Sequence, residues 1–180
     1  MKRYLMSIII ILVLTSGMVA GCTCVRVVPQ KQSSAELEGY LAKASPIMKR
    51  HTETTETGNE ANRAFLKTYA TGDLQKILET LTDYKDTLEW ALNRVDSVLL
   101  DFKKLIPPEE ARTFHSLMIE GLTKEQYGLT KHLSYYSSVL LYGSGNDKEL
   151  DDGNALLLEA QEIWLQVQYE LQDLLQKIKR

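Results

Sequence analysis

Cysteine is nearly missing from this chain. Cys22 and Cys24 are the only two among 180 residues, and both sit near the N-terminus, so no disulfide can staple the remainder. Nucleophilic catalysis has no support either. There is no Gly-x-Ser-x-Gly, and a Ser next to a His in sequence, as in His115-Ser116, projects to a different helix face. The Glu-x-x-His pattern that di-iron carboxylate bundles carry on two helices does not occur. Strand signals, nucleotide-type glycine loops and low-complexity tracts are absent as well. Nor is there a basic surplus: the formal charge is −3, and −5 without Lys2 and Arg3. That balance argues against nucleic-acid backbones and anionic lipid head groups as partners.

What the chain does have begins at its N-terminus. Lys2 and Arg3 form a positive head, Leu5 to Leu14 an apolar middle, and Val19-Ala20-Gly21-Cys22 a small-residue site ending in cysteine. This stretch resembles the signal peptide and lipobox of prokaryotic lipoproteins. The resemblance implies that residues 1–21 are removed, that Cys22 is lipidated, and that 22–32 form a linker broken by Pro29. It implies a tether to membrane lipid through Cys22, outside the cytoplasmic membrane. Several acyl chains on one cysteine give stable anchoring where a single chain is marginal. Thr23 stands where some Gram-negative lipoproteins carry an inner-membrane retention Asp, so an outer-membrane address is compatible and the leaflet is left open. The apolar run is short for a span of about 20 residues, and extending it to Ala20 leaves an uncleaved anchor as the alternative. Cys24 reads as a second acylation site or a free thiol.

Beyond the linker, hydrophobic residues recur at alternating spacings of three and four, which predicts an all-α chain. Helices are expected at about 33–70, 73–106, 108–142 and 147–179. Ser33 and Glu36 have capping-box spacing. The first stripe runs through Leu37, Leu41, Ala44, Met48, His51, Thr55, Gly58, Asn62, Phe65 and Tyr69, unbroken in phase but polar in the middle. Persistence of phase past Pro46 and Gly58 favours one helix over two. Asp73 caps the second helix, whose stripe from Leu74 to Leu105 is widened by Leu78, Leu92, Leu99 and Ile106. Pro107-Pro108-Glu109-Glu110 opens the third, and Asn146 or Asp147 caps the last. Long helices joined by short turns give an antiparallel up-down-up-down four-helix bundle over residues 33–180.

Chemistry inside such a bundle must come from polar residues on core stripes. At about 1.5 Å per residue, His51, His115 and His132 fall at different heights, so no His-rich metal site is expected and no cofactor is assigned. His51 and Glu125 do share a height, with Leu92 and Trp164 reaching that level from the antiparallel helices. Small or polar positions surround them: Thr55, Gly58, Gly121 and Gly128. One reading is a mid-bundle pocket in which His51, Thr55, Glu125 and Trp164 bind a small ligand. The bland one turns both polar groups to solvent, with the glycines serving close packing. Aromatic residues concentrate in the far half, where Tyr135 and Tyr142 are candidates for a partner surface while Tyr69, Tyr84 and Tyr136 lie on core stripes.

The function expected first is non-enzymatic: an interaction module meeting another envelope protein. The alternative is a ligand-binding domain of sensor or solute-capture type, which a cavity lined by Thr55, Glu125 and Trp164 would distinguish from a fully packed core.

Overall fold

Four helices dominate the computed structural model, which describes residues 32–179. They are α1 (Gln32–Tyr69), α2 (Leu74–Lys103), α3 (Arg112–Tyr142) and α4 (Asp147–Lys179), with a 3₁₀ turn at Glu109–Ala111 ahead of α3. The leader, the lipobox, Cys22, Cys24, the linker up to residue 31 and the side chain of Ser33 lie outside the described residues. Among the described residues no strand forms, and no helix is long and apolar enough to cross a membrane. Neighbours in sequence pack side by side, α1 on α2, α2 on α3 and α3 on α4. With turns of a few residues, that is the up-down-up-down four-helix bundle the sequence predicts.

Local chemistry sets the ends. Gly72 and Gly143 adopt positive φ (72° and 74°) in the turns after α1 and α3, a conformation that costs other residues Cβ strain. Asp73 Oδ1 then accepts the Lys76 N–H at 3.3 Å, and Asn146 Oδ1 accepts the Lys148 N–H at 3.1 Å. α2 stops at Lys103, short of residue 106, because Pro107 drives the residue before it out of helical geometry. Ile106 is consequently 91 % exposed and does not widen the core stripe. Leu74 and Leu78, expected on that stripe, are exposed too, and Leu92 is only half-buried. α3 begins at Arg112 and not at 108: Pro108 is extended (ψ 167°) and the 3₁₀ turn intervenes.

α1 is continuous through Pro46 and Gly58. Pro46 and Ala42, whose carbonyl it leaves without an amide partner, are both exposed, so water can serve that carbonyl.

The core is in two parts. One, toward the end holding the N-terminus of α1, gathers around Val95, Val98, Phe102, Phe114, Leu122 and Leu174. The other, toward the opposite end, is built on Phe65, Leu81, Tyr84, Leu88, Tyr136 and Leu150. Half-buried Leu129 touches both. Between them the middle of α1 supplies no large apolar side chain, and α1 meets α4 far less closely than the other neighbouring helices meet.

Candidate functional site

Where the two core clusters part, a cavity of about 720 Å³ lies along the seam between α1 and α4, with α2 and α3 behind it. Its α1 wall is the polar stretch from Met48 to Asn59. Four threonines there return their hydroxyls to the carbonyl one turn back: Thr52 to Met48 (3.2 Å), Thr54 to Arg50 (2.7 Å), Thr55 to His51 (3.1 Å) and Thr57 to Glu53 (3.0 Å). Such back-bonding consumes the polar hydrogen and favours slight bending of the helix. A segment of threonines, Gly58 and Asn59 therefore has neither the bulk to fill the seam nor free hydroxyl protons to bridge it. The remaining walls are mostly apolar: Leu88 and Ala91 from α2, Met118 and Leu129 from α3, Leu157 and Val167 from α4.

His51 Nε2 donates to Glu125 Oε2 at 2.7 Å, joining α1 to α3 across the bundle interior. The two side chains are only 13 % and 12 % exposed. Burial alone pulls the imidazole pKa down, but the Glu125 charge and its hydrogen bond outweigh that, and His51 is held above its ordinary value. The imidazole also lies 4.6 Å from the Trp164 ring, tilted by 39°. Thus His51, Glu125 and Trp164 form one cluster on the cavity wall, with Thr55 beside them. The solvent-facing alternative for His51 and Glu125 does not hold.

Other expectations are corrected. Leu92 does not line the cavity; Leu88 and Ala91 do. Gly121 and Gly128 do not provide room. A Cβ on Gly121 would sit 3.1 Å from Trp164, and one on Gly128 would sit 2.7 Å from Leu157, so both serve close packing of α3 on α4. Gly58 differs, since a Cβ there would meet nothing within 4 Å. Tyr135 is no surface residue: it is 9 % exposed, packed edge-on to Tyr136 and covered by the turn at Gly145. Tyr142 is 79 % exposed, and Tyr69, expected in the core, is exposed as well.

Two groups escaped the sequence reading. Asn59 belongs to the cavity wall and is 3 % exposed, yet neither its Nδ2 nor its Oδ1 has a protein hydrogen-bond partner. It lies two turns from His51, with Thr55 between, and that spacing was the available signal. The second group is His132 with Asn154, on a smaller cavity of about 460 Å³ beside Tyr135 and Tyr136. His132 Nε2 and Asn154 Oδ1 are 3.0 Å apart, Nδ1 has no partner, and burial pushes the imidazole down to about 4. The third histidine, His115, lies 3.0 Å from the Tyr40 hydroxyl through Nδ1, remote from both. No group of three or more His, Cys, Asp or Glu side chains is arranged to hold a metal among the described residues.

Compared with known proteins, the chain matches no family model, no curated protein and no solved structure.

Proposed function

We propose that the bundle is the ligand-binding part of a lipid-tethered lipoprotein displayed outside the cytoplasmic membrane, a sensor or solute-capture module that takes a small, mostly apolar molecule between α1 and α4. The observation that carries this is the cavity of about 720 Å³ at the break between the two cores. Packed interiors hold few voids larger than a water molecule, whereas ligand sites run from about 300 to 1,000 Å³ with a few polar groups on apolar walls. The tether rests on the Lys2-Arg3 head, the apolar run and Val19-Ala20-Gly21-Cys22. We read the module as a binder and not an enzyme because the buried pair on its wall, His51 and Glu125, neutralises itself.

Native mass spectrometry of the full chain, purified from its own host, tests this. A bound small molecule is expected on the wild type and is lost in Gly58→Leu, whose side chain grows into the cavity. Adduct-free protein masses for both, each matching its own sequence, would remove the reading.

A second reading, a docking module for another envelope protein, is favoured by the exposed apolar side chains at the far end: Tyr69, Leu74, Leu78, Leu141 and Tyr142. Tyr142→Ser should then weaken cross-linking to a partner in intact membranes; unchanged cross-linking counts against it.

A further inference from the structure

The mouth of the cavity between α1 and α4 carries charge of one sign. Lys49, Glu53 and Glu56, all exposed, stand on its α1 edge, and half-buried Gln161 and Gln168 on its α4 edge. Lys49 is paired with Glu53, one turn along the helix at 3.8 Å, so Glu56 is the charge left over. Glu60 continues the same exposed line at three-four spacing, and neither it nor Glu56 forms an ion pair among the described residues. Across the seam, α4 has seven acidic side chains and no basic one between Lys148 and Lys177. It therefore supplies no counter-charge to the α1 carboxylates.

Deeper in, charge is already balanced. The other basic residue on the wall, His51, faces Glu125 at 2.7 Å. An ion carried down to Leu88, Leu129 and Met118 would meet apolar side chains and lose its water without gaining a partner. A charged group on the ligand is thus confined to the mouth, where water remains. There a carboxylate or phosphate meets Glu56 as a like charge, and an ammonium meets it as a counter-ion. A cleft edged by one sign of charge, with apolar walls, raises the local concentration of the opposite sign. Length sets the shape of the rest: from Met48 to Asn59 along α1, at about 1.5 Å per residue, the cavity runs about 16 Å.

We infer that the cavity takes an elongated apolar amine, whose body lies inside against Leu88, Leu129 and Met118 while its ammonium stays at the mouth beside Glu53 and Glu56. The inference rests on the cavity being the binding site, and its test separates the two.

The full chain carrying Trp90→Phe leaves Trp164 as the sole tryptophan, a reporter on the cavity wall. It is held in phosphatidylcholine nanodiscs, with empty discs alongside to fix the free probe concentration. Three probes with one ten-carbon body are titrated at pH 7: decylammonium, decanol and decanoate. At low salt decylammonium should bind about five-fold tighter than decanol, the upper end of what exposed ion pairs deliver, and decanoate should bind more weakly than decanol. Both the double change Glu53→Gln with Glu56→Gln and a salt concentration of about 1 M should bring ammonium and alcohol within about two-fold, because the first removes the carboxylates and the second screens them. If decanol or decanoate binds as tightly as the ammonium, and Gly58→Leu abolishes that binding, the cavity stands as the site and the amine assignment falls. An ammonium preference that survives both the double change and the salt also overturns the assignment, since the mouth carboxylates are then not its source. If no probe gives a saturable change in Trp164 emission, both fall.

Discussion

His51 on α1 and Glu125 on α3 share a 2.7 Å hydrogen bond at the wall of a cavity, each side chain almost removed from water. The pair ties helices that are not neighbours in the bundle, at the level where α1 has least apolar contact of its own. Breaking a buried pair by removing one partner typically costs about 3–5 kcal/mol, because the other charge is stranded. His51→Ala should therefore be strongly destabilised in urea unfolding, keep its helical circular dichroism in the absence of denaturant, and lose ligand. The double change His51→Leu with Glu125→Leu should recover most of the stability and none of the binding. A double variant no better than the single one would mean that the pair's own attraction, and not the stranded charge, dominates.

Stability should peak with pH, for two opposite reasons. His51 is raised in the folded state, so its contribution is complete below its unfolded pKa of about 6.5 and fades as pH rises through the folded value. His132 is lowered to about 4, and His115 is lowered as well, both by burial. The stability from holding them neutral is present above about 6.5 and is lost as pH falls, for His132 down to about 4. Denaturant midpoints measured from pH 4 to 8 should show both limbs. His132→Asn should flatten the acid limb, and the His51–Glu125 double variant the alkaline one; limbs unchanged by these variants would contradict the assignment.

Asn59→Leu should stabilise the ligand-free protein by about 1–3 kcal/mol, since it replaces an amide with no protein partner by an apolar side chain of similar size. Thermal melting reads this directly. A destabilised Asn59→Leu would mean that the amide makes hydrogen bonds in the folded protein.

The two tyrosines first considered for a partner surface should behave oppositely. Tyr135→Ala, in the buried aromatic cluster with Tyr136, is expected to cost roughly 3–5 kcal/mol, while Tyr142→Ser should stay within about 0.5 kcal/mol of wild type. Equal effects at both positions would contradict the burial described for Tyr135.

Much of this was legible in the sequence. The spacing of Leu, Val and Phe along α2 and α4 is enough for an amphipathic helix, and Gly72-Asp73 is enough for a stop and a start. Counting residues from the turns brought His51, Glu125 and Trp164 to one height because antiparallel helices share the same rise. Whether that layer was closed was not legible. That depends on Thr52 to Asn59 failing to fill a seam whose width is set by the two cores on either side. Tyr135 and Tyr69 were misjudged for a related reason: a strict three-four count drifts against a helix of 3.6 residues per turn, and by the ends of long helices a stripe has rotated. Gly121 and Gly128 read as space in sequence because contact between α3 and α4 is a property of two helices together.

The measurement closest to the central claim is a crystal structure of the protein purified from its own host, examined between α1 and α4. α1 is expected to stand off α4 beside His51 and Trp164, with non-protein density between the two helices against His51, Leu88 and Trp164. A bundle in which α1 packs directly on α4, with no room beside Trp164, would contradict the binding reading.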